Sequence, residues 1–202
     1  LVGSEMCIRD RSIVTLLITF CFYLSVYAQA PQDKATELKE QALSSLKQKD
    51  YIKARYLFKK AYEAFAVREN YPQAIECGIQ ANALYVRENF YKEGFELCRN
   101  MEQLIWTGEQ KQNKVFYDLR FPISKERLQM YIALKNPAQA KNQLDKLEEM
   151  AKLAKNDSLM EVLLYTKANY YYTFNQNAQG DACFRKLINQ YKDCLLYTSP
   201  SP

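Results

Sequence analysis

The segment Ala54-Arg-Tyr-Leu-Phe58-Lys-Lys-Ala61 carries the pattern that decides the fold. A small residue is followed four and seven positions later by apolar residues, which is the spacing of one face of an α-helix. The pattern recurs at Gly94/Cys98/Met101, Ala140/Leu144/Leu147 and Gly180/Phe184/Leu187, so successive copies lie 40, 46 and 40 residues apart. The chain therefore contains an internal repeat of about 40 residues.

A second helix precedes each copy of the pattern. Apolar residues recur at helical spacing upstream of every small residue: Leu38 and Ala42; Ala81 or Ala83 with Tyr85; Leu128 and Tyr131; Leu164, Ala168 and Tyr171. The small residue is expected where the two helices of a unit cross, because helix axes approach to about 8 Å only without a bulky side chain between them. No segment shows strand alternation. The predicted helices cover residues 33–48, 51–68, 72–87, 90–106, 115–135, 137–155, 158–175 and 178–192.

Several short motifs predict helix boundaries. Asn136-Pro137 places a capping residue before a first-turn proline, and Tyr71-Pro72 starts another helix. Ser158-Leu-Met-Glu161 has the pattern of a capping box. The polar run from Gly108 to Asn113 is interpreted as a loop. Pro122 either starts the next helix or kinks one that began earlier.

These paired helices resemble the tetratricopeptide repeat family over about Asp33 to Asp193. The family's usual period is about 34 residues, so each helix here is expected to be about a turn longer. The resemblance implies an all-α solenoid of about four helical hairpins, with its repeat domain at residues 31–193. It also implies a binding module whose concave groove is lined by the first helix of each unit.

One face of the predicted helix 158–175 is rich in candidate binding residues. In the family's register Tyr171 faces the partner helix, whereas Tyr165, Asn169 and Tyr172 share the inner face that lines the groove. The matching positions of earlier units include Lys125, Gln129 and Arg87. Aromatic anchors with amides and cations suit recognition of a protein or peptide. The alternative is that these tyrosines cover the core or pack against a further repeat.

The composition argues against an enzyme. The sequence has no histidine, which excludes serine–histidine–aspartate catalysis and imidazole metal sites within it. It also has no glycine-rich phosphate-binding loop, so we expect neither a cofactor nor a metal. Its formal net charge of +5 is too small to indicate a nucleic-acid partner.

The cysteines Cys77 and Cys98 stand at similar heights on two neighbouring predicted helices. A disulfide between them is conceivable, although helix axes 8–10 Å apart usually hold Cα atoms beyond bonding reach. The preferred interpretation is that each cysteine is a small buried hydrophobic residue.

An apolar run at residues 12–28 has the length of a signal-peptide core. Val26-Tyr-Ala28 offers a cleavage site that would leave Gln29 as the new N-terminus. We therefore expect an exported, periplasmic protein, with an uncleaved N-terminal anchor as the alternative.

The two ends resemble translated sequencing adapter. The tail from Cys194 to Pro202 can be back-translated to a nucleotide string whose reverse complement, in another frame, encodes Gly3 to Asp10. Residues 1–11 and 194–202 are therefore expected to be artefacts, and the gene product to be a fragment spanning about Ser12 to Asp193.

Three segments resemble the exported repeat region of certain bacterial membrane-bound sensor histidine kinases: Leu97–Leu104, Lys125–Tyr131 and Leu163–Phe174. That resemblance implies a sensory input role ahead of a transmembrane helix and a kinase module. The alternative is a freestanding periplasmic scaffold with no signalling output. An apolar stretch of about 20 residues beyond Asp193 would favour the sensor.

Overall fold

The computed structural model describes residues 34–196, and within them the chain is all α-helical. The eight helices of this part are α1 (Lys34–Lys47), α2 (Tyr51–Val67), α3 (Tyr71–Arg87), α4 (Tyr91–Gln112), α5 (Tyr117–Ala133), α6 (Pro137–Ala154), α7 (Asp157–Thr173) and α8 (Asn177–Leu196). The predicted all-α class is thus confirmed. The proposed signal peptide at 12–28, the proposed artefact at 1–11 and the last six residues of the proposed artefact at 194–202 lie outside the described residues.

Each helix pair is joined by the same tight turn. Lys49, Asn89, Lys135 and Asn175 adopt positive φ angles of 53–62°, and each stands five residues before the small residue of its repeat. One left-handed residue ends a helix and satisfies its last carbonyls without lengthening the connection. The repeat seen in the sequence is therefore also a repeat of backbone geometry.

Side-chain caps begin several of the helices. Asp50, Asn70 and Asn136 each accept a hydrogen bond from the backbone N–H three residues later. Proline follows within the first two helical positions of α3 and α6. The boundaries predicted at Tyr71-Pro72 and Asn136-Pro137 are confirmed.

Every helix packs on the next one in the chain, and α5 also packs on α3 and α7. This pattern is consistent with a helical repeat. Ala54 and Ala140 are completely buried. A Cβ atom at Gly94 would lie 2.8 Å from Met130 Sδ. These small residues therefore lie in tightly packed interfaces between helices.

Helix α4 is longer than predicted, and the loop predicted at 108–113 is wrong. The helix continues to Gln112. Gly108 is buried beneath Tyr71, whose ring would be 2.7 Å from a Cβ at that position. Glu109 is buried too and takes hydrogen bonds from α5 and the preceding loop. The polar sequence is typical of a loop, but these contacts to Gly108 and Glu109 stabilise the helical turn.

Three smaller predictions are resolved or corrected. Pro122 lies inside α5, which began five residues earlier. Helix α7 begins at Asp157 with Asn156 as its cap, so Ser158 is not the capping residue that the box pattern predicted. Among the three successive tyrosines Tyr170 is buried, and Tyr171, which was predicted to face the partner helix, is partly buried against the core cluster that contains Leu128.

Candidate functional site

The six residues predicted to line a binding groove are accessible. Tyr165 is 55% exposed and Tyr172 is 37% exposed. Asn169, Gln129 and Arg87 are exposed as well, and Lys125 is partly buried. Accessibility is the first requirement for a binding surface, and all six meet it at least in part.

Tyr165 and Tyr172 belong to one aromatic cluster between α7 and α8. Their ring centroids lie 6.2 and 5.8 Å from that of Phe184, which is within the range of favourable aromatic pairs. The Tyr172 hydroxyl donates a hydrogen bond to Asp181, which raises the pKa of the tyrosine. Gly180 leaves room for the Tyr172 ring above it. The two tyrosines are thus held in place, and Asn169 stands between them on the same helix face.

Arg87 lies elsewhere in the helix array. Its guanidinium carbon is 3.7 Å from the centroid of the Tyr51 ring at the start of α2. Tyr172 lies eight positions before Gly180, the small residue of its repeat. The residue eight positions before Gly94 is Val86, so Arg87 is one position away from the match to Tyr172. The structure therefore brings Tyr165, Asn169 and Tyr172 together on α7 and sets Lys125 and Gln129 on the neighbouring helix α5. Arg87 is at the end of α3, in the second unit, where it contacts Tyr51 of the first unit.

A polar cleft of about 530 Å³ opens between α4, α5 and α6. Residues spaced one and two turns apart on α4 line one wall, among them Arg99 and Trp106. Arg120 and Arg127 line the second wall, and Lys146 stands on the third. Trp106 is 52% exposed. The sequence interpretation missed these residues, although the lone tryptophan and the basic residues spaced seven apart on α5 were visible signals.

Ion pairs fix two of the cleft's arginines. Arg127 donates through one nitrogen to both oxygens of Glu102, at 2.8 and 2.6 Å. Arg120 Nε donates to Glu109 at 2.7 Å, and the Phe116 backbone N–H donates to the same oxygen at 2.8 Å. Burial alone would raise the pKa of Glu109, but these hydrogen bonds outweigh it and hold that pKa below its ordinary value.

A buried polar cluster joins α3, α4 and α5. The Asn82 amide donates to Glu126 at 3.1 Å, and the Cys98 thiol lies 3.8 Å from the Asn82 oxygen. Burial raises the pKa of Glu126 and raises that of Cys98 to about 12. Such a thiol is almost entirely protonated at neutral pH, which makes it a poor nucleophile. We interpret this cluster as structural.

Cys77 and Cys98 are free and buried. No disulfide joins them in the described part of the chain, and the preferred interpretation of each as a small hydrophobic residue is confirmed. Burial raises the pKa of Cys77 to about 11.

Among the described side chains of residues 34–189, no group of three or more potential ligands could hold a metal ion. None of the described helices combines the length and the apolar character that crossing a bilayer requires.

Comparison of the chain with protein-family models, with curated proteins and with solved structures gave no match. A proposal about function therefore rests on the residues and contacts of the chain itself.

Proposed function

We propose that residues 31–193 form a tetratricopeptide-like repeat domain that binds a protein or peptide and catalyses no reaction. The observation that carries the proposal is the exposed aromatic cluster on α7 and α8, formed by Tyr165, Tyr172 and Phe184. Tyrosine offers a large and rigid contact area, and a few such anchors dominate most protein interfaces. The four repeated hairpins, with the same turn before each small residue, support the solenoid assignment.

The cations and amides beside the cluster fit the same function. Gln129 and Asn169 are exposed amides on neighbouring helices, and a peptide backbone pairs readily with amides. Lys125 and Arg87 would act mainly on the association rate and its salt dependence, since exposed charges steer encounter more than they slow dissociation. Because Arg87 lies on α3, two units before the tyrosines of α7, its effect should be the smallest of the six.

Alanine at Tyr165 is expected to weaken capture of the partner by about 1–2 kcal/mol. The measurement is a pull-down from periplasmic extract with the full-length gene product, followed by titration of the captured protein. Tyr172→Ala should act similarly, although it also removes the contact with Asp181. Tyr56→Ala is the matched control, because Tyr56 is 61% exposed but lies on α2, outside the cluster.

Unchanged capture by both cluster variants would refute the surface assignment. Burial of both tyrosines against a further repeat in the full-length protein would refute it too. A circular-dichroism spectrum equal to that of the unmodified protein shows that each variant is folded.

We further propose that the protein is exported to the periplasm. A gene extended to its own start codon should yield a periplasmic protein whose N-terminal sequence begins at Gln29. This result follows from the small residues that precede that bond at Val26-Tyr-Ala28. N-terminal sequencing of the fractionated protein measures it directly. Recovery of membrane-bound protein that retains residues 12–28 would indicate an anchor instead.

The proposed role of this module is sensory input to a membrane-bound signalling protein of the histidine-kinase type. Its support is the resemblance of the three segments named above. A freestanding scaffold for envelope assembly is the second candidate. Gene sequence beyond Asp193 separates the two, because the sensor requires an apolar segment of about 20 residues there.

A further inference from the structure

The cleft between α4, α5 and α6 reflects a change within the repeat. In the second unit the residues of α3 that stand 20, 16 and 13 positions before the small residue are Ala74, Gly78 and Ala81. All three are buried. A Cβ atom at Gly78 would collide with the Met101 side chain and lie 3.3 Å from the ring of Tyr62. Small residues thus let α2, α3 and α4 close on one another.

The third unit carries different residues at the same three positions. They are Arg120, Ser124 and Arg127, and all three line the cleft. Long cationic side chains prevent the close packing that the alanines and glycine allow. The space that they hold open is the cleft. Arg120 and Arg127 lie at the two ends of its α5 wall, with Ser124 between them.

Two cations of the cleft are unpaired within the part of the chain whose side chains the structure describes. Arg120 and Arg127 serve Glu109 and Glu102, but Arg99 and Lys146 have no ion-pair partner among residues 34–189. The lining includes four cations and two carboxylates, Glu102 and Glu149. Outside the two ion pairs the cleft has two cations, Arg99 and Lys146, and one carboxylate, Glu149. The remaining charges therefore favour an anion.

Apolar surface lies next to these cations. Trp106 is half-exposed on the α4 wall, and Met150 lines the cleft from α6. An indole face and a flexible thioether together accept a flat apolar group. A site with a few placed polar groups beside apolar surface is the common form of a small-ligand pocket.

We propose that this cleft binds a carboxylate that carries an aromatic or other flat apolar group. Arg99 and Lys146 hold the carboxylate, and Trp106 with Met150 contacts the apolar group. The ligand is either a small free organic acid or the C-terminal residue of a peptide. This site is separate from the aromatic cluster on α7 and α8. Ligand binding in the cleft does not depend on whether that cluster binds a protein or peptide.

The fluorescence of Trp106 provides the test, because it is the only tryptophan in the sequence. The 202-residue chain is titrated with 3-phenylpropionate and with its neutral amide. A second pair of probes is an acetylated trialanyl-phenylalanine peptide with a free or an amidated C-terminus. We expect a saturable fluorescence change with at least one carboxylate and none with its amide partner. Binding of the small acid points to a free ligand, and binding of the peptide alone points to a peptide terminus.

Two substitutions test the assigned cations. Arg99→Gln and Lys146→Gln should each weaken the binding of the responding carboxylate about tenfold, as expected for the loss of one charge-assisted hydrogen bond. Lys92→Gln makes the same change of charge as Lys146→Gln at an exposed site in the first turn of α4, and it should leave the affinity unchanged. Circular dichroism confirms that all three variants are folded.

Three results would each overturn the proposal. The first is the lack of a saturable response to either carboxylate at millimolar concentration. The second is an equal response to a carboxylate and its amide, and the third is unchanged affinity in both Arg99→Gln and Lys146→Gln.

Discussion

Replacement of Ala140 by leucine is expected to lower the free energy of unfolding by about 2–3 kcal/mol. Ala140 is 0% exposed and packs in the cluster that contains Leu128 and Leu144. Three additional carbon atoms at a helix crossing cannot be accommodated without moving α5 and α6 apart, since protein interiors are close-packed. The measurement is urea denaturation followed by circular dichroism.

Ala138→Leu is the matched control for this prediction. It makes the same substitution two residues earlier in α6, where the side chain is exposed. Surface changes of this kind usually alter stability by less than about 0.5 kcal/mol. Equal losses of stability in the two variants would contradict the assignment of Ala140 to a helix crossing.

Helix periodicity and the small-residue repeat were sufficient to predict an all-helical chain in which each helix packs on the next. The helices themselves follow from local properties: apolar spacing fixes the buried face, and caps such as Asn136 fix a helix start. In the second unit the sequence left the apolar position open between Ala81 and Ala83, and the structure explains why. Its core position twelve residues before the small residue is Asn82, whereas the corresponding Ala42, Leu128 and Ala168 are apolar and completely buried.

Features that depend on distant contacts were not predictable. The last turn of α4 contains Gly108 and several polar residues, which locally favour a loop. It is helical because Tyr71 covers Gly108 and Arg120 pairs with Glu109. Both partners are more than ten residues away in sequence, so no window around the turn contains them.

The candidate binding residues were predictable where they share one helix and unpredictable where they lie on different helices. Helical spacing alone places Tyr165, Asn169 and Tyr172 on one face, and the structure agrees. The grouping of Arg87 with them required an alignment of one unit on another. A shift of one residue in that alignment moves a side chain to a different face of its helix. The cleft requires three helices to converge, so Arg99 and Lys146 had no signal that connected them before the fold was known.

Asn82→Asp is expected to destabilise the protein by about 3 kcal/mol or more at pH 7.5. The substitution keeps the shape of the side chain but replaces the amide that donates to Glu126 at 3.1 Å with a second carboxylate. Asn82 is 0% exposed and Glu126 is 4% exposed. Two buried carboxylates at this distance cannot both ionise without a large cost.

The pH dependence of this effect has a definite sign. Burial already raises the pKa of Glu126 above its ordinary value of 4.5, so the folded state holds this proton more tightly than the unfolded state does. Stability contributed by such a group is present below pH 4.5 and falls as the pH rises through the raised pKa. A second carboxylate raises both pKa values further. The loss caused by Asn82→Asp should therefore be much smaller at pH 5 than at pH 7.5.

Exchange of the two groups provides the decisive control. Adding Glu126→Gln to Asn82→Asp restores one amide and one carboxylate in the same space, with the donor and acceptor reversed. We expect the double variant to recover stability to within about 1 kcal/mol of the original protein at pH 7.5, because a buried carboxylate is tolerated when a donor faces it. Urea titrations at both pH values measure the original protein, the single variant and the double variant. If Asn82→Asp alone lost less than about 0.5 kcal/mol at pH 7.5, Asn82 and Glu126 would not be in contact, and the packing of α3 on α5 would have to be revised.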